Sequence, residues 1–524
     1  MIRPKIKKSL SDLFPDEKIV VDTVPRGKQG DYSTNLAFLL ASKRNDSPIN
    51  IANEIAPKIK IPAISRIYVE KPGFVNFEID RNYLLKHIYE NELSFNIDNS
   101  RRVLIEFVSA NPTGPINIVS ARAAAVGDSL VRLLNKVGYD AHSEYYVNDT
   151  GKQAEMLAIS VAQRIREIHG ETPEIPENGY HGKYLIPLAE DIAAQGDIKA
   201  DKLKEYSINY FVENHRKTLS RFGVTFECWS RESDIRAKQY PETALKKLKN
   251  TGKTFEQDGA IFFRATDFGD NRDRVLITSD QRSTYLLNDL GYHIHKIERK
   301  YNQLINLLGP DHHGQIKGLI GGIEAMGYPA EFIKIIIIQH VSFKKEGKAV
   351  SMSKRTGEIF TLDELIDQVP KDVIRFFFLM RSCSQHLDFD IDLALKQTDE
   401  NPVYYVQYAH ARIMSIIKHG LDQGIDISAE PELGLIEQPE EINLAKHIAR
   451  YDEVLEDAAR AFEPFMVTYY LLDLARIFHY FYQKVKVVSE DKGLSRARIF
   501  LIQKAAQVFK QGLDILGISC PDKM

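Results

Sequence analysis

Cysteine is scarce in this chain. Cys228, Cys383 and Cys520 are the only three in 524 residues, and they stand far apart. They can form neither a disulfide framework nor a zinc spacing, which fits the reducing cytoplasm. No apolar run approaches the length that spans a bilayer, so no membrane segment is expected. The opening MIRPKIKKSLSDLF carries charge but no apolar core followed by small residues, unlike a secretory signal. Neither sign of charge is in excess: 69 Lys and Arg against 72 Asp and Glu leave a net −3. That excludes a protein that coats nucleic acid through bulk charge, while leaving room for local basic faces. Low-complexity tracts and internal repeats are absent. So is G-x-x-x-x-G-K-[ST], which excludes a P-loop kinase or ATPase.

What is present is an ordinary globular composition, 44% hydrophobic and 27% charged, in a chain too long for one core. Two to four domains are expected. The organising stretch is RRVLIEFVSANPTGPINIVSARAAAVGDSLVRLLNKVGYDAHSEYYV, residues 101–147. Residues 103–107 are a short apolar run with the pattern of a buried strand. Residues 109–115 hold two prolines and a glycine and must form a loop. Residues 121–137 carry apolar positions at helical spacing and stop at Gly138; 141–147 can extend again. This order predicts one βαβ unit of a parallel sheet. Its first loop leads into a helix N-terminus, where unpaired N–H groups and the positive dipole end attract phosphate. An α/β crossover with no ligand has the same local pattern.

Three units follow from the pattern. Residues 1–95 alternate helical pieces (6–14, 35–42, 49–59) with strand-like ones (19–24, 67–70, 74–79), a small α+β domain. Residues 96–395 carry the α/β pattern, interrupted by a mainly helical and irregular insertion at about 150–275. Sheet patterns resume near Val275 and again at 303–308 and 333–339, followed by a hydrophilic loop at 342–359. From about 396 to 524 the chain is almost entirely helical, with 403–419, 442–462, 466–488 and 495–516 as its helices. Lysines and arginines on those helices suit either a solvated surface or a face that meets phosphates.

Taken together, several motifs resemble a class I aminoacyl-tRNA synthetase, specifically the bacterial type of arginyl-tRNA synthetase. In the first unit they are GDYSTN (30–35) and EKPGFVNFEI (70–79). In the second they are EFVSANPTGP (106–115), YYVNDTGKQ (145–153), STYLLNDLGYH (283–293), GPDHHGQI (309–316) and SMSKRTGEIFTL (351–362). NPVYYVQYAHARI (401–413), DLARIFHYFYQKVKV (473–487) and GLDILGI (512–518) complete the set. The resemblance covers essentially the whole chain. It implies a Rossmann-type parallel-sheet catalytic domain between a small N-terminal α+β tRNA-binding domain and a C-terminal helical bundle that takes the anticodon. It also implies an activity: arginyl-adenylate made from ATP and arginine, then transfer to the 3′ end of tRNA(Arg). ATP with Mg²⁺ would be a substrate, no tightly bound cofactor or metal site is expected, and the absence of a dimer seam predicts a monomer.

The resemblance also assigns residues. Glu106 and Asp289 would face the guanidinium, whose rigid fork of donors suits paired carboxylates. Tyr285 would lie alongside, and Ser109 and Asn111 would hold the polar end of arginine. Pro115, Val119, Asp311, His312 and His313 would border the nucleotide. Met352, Ser353, Lys354 and Arg355 belong to the second signature, where Lys354 would neutralise the departing pyrophosphate. Asn35, Phe74 and Asn76 match the region that reads an unpaired loop base by stacking and base-edge hydrogen bonds. Tyr404, Tyr408, Tyr480 and Tyr482 are candidate anticodon contacts.

One motif departs from the family pattern. Where the family has His-x-Gly-His, this chain reads Asn117, Ile118, Val119 and Ser120. Asparagine can still donate to phosphate but is never cationic. A β-branched valine fills the space that glycine leaves for adenine, and serine is shorter than histidine. Asn117 and Ser120 thus stand where the catalytic histidines would. In the second signature Ser351 replaces the first lysine, and Lys344, Lys345 and Lys348 stand nearby. Two readings follow: a ligase with a varied ATP cradle, or a catalytically impaired paralogue that binds arginine or tRNA as a sensor or binding module. The retained Glu106, Asn111, Tyr285, Asp289 and Lys354 favour the ligase.

Overall fold

The computed structural model describes residues 1–25, 27–90, 101–196, 200–312, 314–350 and 361–524. At its centre five parallel strands lie in the order Ile333–Ile337, Gln303–Leu308, Arg102–Glu106, Asp140–Val147 and Cys228–Arg231. The run at 103–105 is buried on both faces, as a central parallel strand must be. Helix Ile118–Lys136 crosses over between the first two strands in chain order. Gly127 lets that helix lie close on the sheet: a Cβ there would stand 2.2 Å from the Phe107 ring.

Three expectations are corrected here. The segment at 150–275 is not wholly helical and irregular, because Cys228–Arg231 forms the edge strand of the main sheet. Four residues with little alternation are too short to register as a strand in sequence. The pattern at Val275 belongs elsewhere: Arg274–Ile277 pairs with Ala260–Phe263 in a separate antiparallel sheet completed by Thr254–Gln257. The loop expected at 342–359 also begins as a hairpin, Val341–Lys345 against Lys348–Val350. Glu346 and Gly347 both take positive φ (52° and 70°), as a two-residue hairpin turn requires. Lysines on both strands masked the alternation.

The N-terminal unit is a four-stranded antiparallel sheet, ordered Val21–Thr23, Tyr32–Thr34, Phe74–Ile79 and Ile64–Glu70, with helices packed on it. The C-terminal helices are Pro402–Asp422, Pro439–Ala449, Tyr451–Ala461, Phe465–Lys484 and Lys492–Ile515. The run at 442–462 is therefore not one helix. It breaks at Arg450, which ends one helix and starts the next.

Buried polar contacts tie the three parts together. Glu453 of the helical part accepts the N–H groups of Ile2 (3.1 Å) and Arg3 (2.7 Å) and the Tyr32 hydroxyl. Arg375, fully buried, donates to Asp128 on the crossover helix (2.5 Å) and to the Leu516 carbonyl beyond the last helix (2.9 Å). Arg122, also buried, donates to the carbonyls of Gln339, Gln385 and Ser382, each at 2.9 Å. Removing one partner of a buried pair strands the other charge. Arg375→Met is expected to destabilise the chain by about 3–5 kcal/mol in urea unfolding. A loss below about 1 kcal/mol would mean that the pair does not hold the crossover helix to the C-terminal part.

Candidate active site

The site opens at the carboxyl ends of the strands, where the connections leaving Arg102–Glu106 and its neighbour Gln303–Leu308 run to opposite sides of the sheet, the usual crevice of an open α/β sheet. After Phe107 the backbone turns sharply. Val108 (φ 69°) and Ser109 (φ 39°) both lie in the left-handed region. For a β-branched residue this conformation is rare and costs on the order of 1–3 kcal/mol, a strain typical of ligand loops. The Ser109 hydroxyl donates to Glu106 Oε1 (2.9 Å) and accepts from the Tyr146 N–H (3.1 Å), so it props the strand end. Two residues outside the sequence-derived set clamp the loop. The Tyr145 hydroxyl lies 2.9 Å from the Ala110 carbonyl and 2.8 Å from His215 Nδ1. His215 Nε2 lies 2.7 Å from the Gly114 carbonyl. His215 comes from helix Ala200–Arg221. Nothing in its sequence context marks it, because the contact exists only once that helix packs on the sheet.

The first signature begins helix Ile118–Lys136. Asn117 is its N-cap, accepting the Ser120 N–H on Oδ1 (2.9 Å), so the helix starts three residues before the expected 121. Asn117 is exposed, and Pro115, Val119 and Ser120 are half-buried. Asn117 also bridges to Thr361, and the Leu362 N–H donates to the Ile116 carbonyl (2.9 Å). The chain leaving the second signature is thereby pinned to the first. His313, Ser351, Met352, Ser353, Lys354 and Arg355 lie outside the described residues. Asp311 and His312 are exposed on the turn Pro310–His312. Asn111 is exposed in the loop, and Tyr285, the first residue of helix Tyr285–Glu298, is 71% exposed.

Behind these residues lies a nest of charge. Glu106 already has an internal partner: the buried Lys296 ammonium donates to its Oε2 at 2.5 Å. Glu232 is paired with Arg236 (Nε–Oε1 2.7 Å). Glu144 accepts from Arg299 (2.5 Å) and from the Tyr292 hydroxyl. Asp289 differs. Its carboxylate has no hydrogen-bond or ion-pair partner among the described residues. Asp289 is half-buried by accessible surface, yet packed protein surrounds its carboxylate; this desolvation, reinforced by the charges of Glu106 and Glu232 and only partly offset by Lys296, pushes it up to about 7. Burial also raises the nearby Tyr146 hydroxyl far above its ordinary range and lowers His293 to about 3.

Of the residues expected to touch tRNA, Phe74 is exposed, edge-on to Phe38 at 5.0 Å. Asn35 Oδ1 accepts the Val20 N–H (2.9 Å). Asn76 is buried: its Nδ2 donates to the Gln29 carbonyl (2.8 Å), and its Oδ1 has no hydrogen-bond partner among the described residues. The covering loop can close because Gly30, at φ 96°, brings its Cα within reach of Asn76; a Cβ there would meet Asn76 Cβ at 3.0 Å.

Comparison with known proteins assigns all three parts. The chain matches the arginyl tRNA synthetase N-terminal domain over residues 1–79. It matches the class I (R) tRNA synthetase catalytic domain over 84–180 and 191–376, and the DALR anticodon binding domain over 406–524. It is 40% identical to the arginine–tRNA ligase of Bacillus subtilis, with 99% of this chain and 97% of that one covered. It is 41% identical to that of Bacillus licheniformis, covering 96% and 94%. In fold it is similar to the Thermus thermophilus arginyl-tRNA synthetase, with a TM-score of 0.80 at 22% identity over 100% of this chain and 99% of that one.

The lone carboxylate has a measurable consequence. Its native value lies above that of the unfolded chain, so the folded protein holds the proton more tightly. The stability this confers is complete below about pH 4 and is lost as pH rises through about 7. Asp289→Asn should therefore unfold at higher urea than wild type at about pH 8, while the two converge towards about pH 4. Equal stability at both pH values would mean that Asp289 is not held in an unfavourable field.

Proposed function

This chain belongs to the arginyl-tRNA synthetase family, and we propose that it works as an arginine–tRNA ligase in the cytoplasm, as a monomer. The carboxylate of arginine attacks the α-phosphorus of ATP, pyrophosphate leaves, and arginyl-adenylate forms. A hydroxyl of the terminal ribose of tRNA(Arg) then attacks the arginyl carbonyl, and AMP leaves. Such chemistry needs little covalent help from protein and depends on positioning and charge stabilisation. Mg²⁺ accompanies ATP as part of the substrate.

The observation that carries the reading is Asp289, an uncompensated carboxylate beside Glu106, itself already paired, at the ligand end of the sheet. A guanidinium supplies the missing charge and five donors in a planar fork. Tyr285 closes over it, Asn111 holds the amino-acid end, and Ser109 acts through Glu106 rather than on the ligand. Asn117 and Ser120 open the phosphate cradle at the helix N-terminus, with Pro115, Val119, Asp311, His312 and His313 along the nucleotide. Met352, Ser353 and Arg355 shape the second signature, and Lys354 meets the leaving pyrophosphate. Phe74 and Asn35 meet the outer corner of the tRNA. For the anticodon, a groove of about 660 Å³ is lined by Arg412, His419, Tyr482, Lys484 and Lys486. Arg412 sits over the Tyr408 and Tyr482 rings at 5.2 and 5.6 Å. Basic groups among aromatic faces suit stacked, unpaired bases.

Aminoacylation tests the reading: purified chain, ATP–Mg²⁺, labelled arginine and tRNA from the source organism. Wild type is expected to charge tRNA, and Lys354→Ala to lose about 10²–10³ in rate. The Asn117→His/Val119→Gly/Ser120→His variant serves as reference for the varied cradle. Silence from wild type with charging by that variant would mean that the chain has abandoned the chemistry and keeps only its binding sites. Light scattering is expected to give the mass of a single chain; a stable dimer would overturn the monomer.

A further inference from the structure

A fully buried lysine stands near the pocket. Lys296 is fully buried one face of helix Tyr285–Glu298 below the candidate ligands. Its ammonium donates to Glu106 Oε2 at 2.5 Å and to Asn306 Oδ1 at 3.3 Å, and it lies 4.2 Å from the Tyr292 ring centroid. Because Asn306 presents its oxygen to the lysine, its Nδ2 faces His293 and donates to Nε2 at 3.1 Å. His293 is then a neutral tautomer with its proton on Nδ1, which donates to the Asp289 carbonyl at 2.7 Å. Glu106, Lys296, Asn306 and His293 are all buried, and hydrogen bonds link them in one chain.

We infer that Lys296 is a positioning and specificity-determining residue for arginine: a built-in ammonium that occupies Glu106 and, through Asn306 and His293, fixes the helix turn that carries Asp289. This inference rests on the arginine reading of the pocket and deepens it. Four carboxylates surround the site, from four different elements, and Glu144 on strand Asp140–Val147 is matched by Arg299. Glu106 on the central strand is matched by Lys296, and Glu232 on helix Glu232–Ala237 is matched by Arg236. Tyr146 on the neighbouring strand stays neutral, as does His293 on Asp289's own helix. Among the described residues only Asp289 lacks an ion-pair partner, so the pocket has room for one positive charge. Without Lys296 the pocket would hold two uncompensated carboxylates. They would share a proton, and arginine would have to displace it.

The test is the affinity of L-arginine for the whole chain, measured by calorimetry from about pH 5.5 to 9. In wild type the affinity should rise with pH and level off above about 7, as Asp289 ionises. Lys296→Met should move that midpoint up by about one unit or more, because Glu106 then repels ionised Asp289. Below both midpoints, one unit is about tenfold weaker binding. Glu106→Gln should move the midpoint down, because the ammonium, freed from Glu106, favours ionised Asp289. The double variant, with the charged pair removed together, should return close to wild type. A purely structural lysine would lower affinity without this opposed movement and its reversal. If Lys296→Met does not fold, Glu106→Gln and the double variant still decide the sign. Midpoints that stay put, or move the same way in both single variants, would overturn the inference alone. A wild type that binds no arginine at any pH would overturn the arginine reading, and the inference with it.

Discussion

A carboxylate removed from water needs a partner, and among the described residues this protein meets that need for its pocket carboxylates with one exception. Glu106 has Lys296, Glu232 has Arg236 and Glu144 has Arg299. Asp289 has no such partner, and burial beside its like-charged neighbours makes its ionised form unfavourable until a cation arrives. A site of this kind loses stability when empty and regains it with ligand. The free energy of that imbalance becomes binding energy for whatever supplies one positive charge in planar form. The ligand chemistry therefore follows from which carboxylate has been left unmatched, more than from how many carboxylates there are.

The remainder of the fold holds that imbalance in place. Glu106 ends the central strand, and the strained turn at Val108 and Ser109 aims its carboxylate inward. Tyr145 and His215 grip the loop that follows, at Ala110 and Gly114. The crossover helix then carries the first signature. It lies close on the sheet because Gly127 has no side chain, and Arg122 and Arg375 fasten it to the 382–385 turn and to the end of the last helix. Few of these contacts are local in sequence. The site is a property of three packed parts rather than of one motif.

The parts legible in sequence are those with a local signal. The βαβ unit announced itself through a buried apolar run, a proline-bearing loop and a helix stopped by Gly138. The altered motif at Asn117–Ser120 was equally visible as a change of residue type, although its role as a helix cap was not, since capping depends on where the helix starts. What escaped was non-local. The strand Cys228–Arg231 is defined by its neighbour rather than by its own alternation. The burial of Asn76 depends on the Gly30 loop folding over it. The burial of Lys296 has no local signal within its own helix. Only the approach of the central strand, 190 residues away in sequence, turns this lysine into an internal counter-ion.

The central claim is that Asp289 is the one carboxylate of the pocket awaiting a cation. The most direct measurement is the ionisation of its side chain by carbon NMR, assigned through Asp289→Asn, in the free chain and with L-arginine bound. The account predicts a value near 7 in the free protein and a carboxylate that remains ionised at about pH 5 once arginine is present. An Asp289 that titrates near an ordinary aspartate value in both states, or that does not respond to arginine, would contradict it.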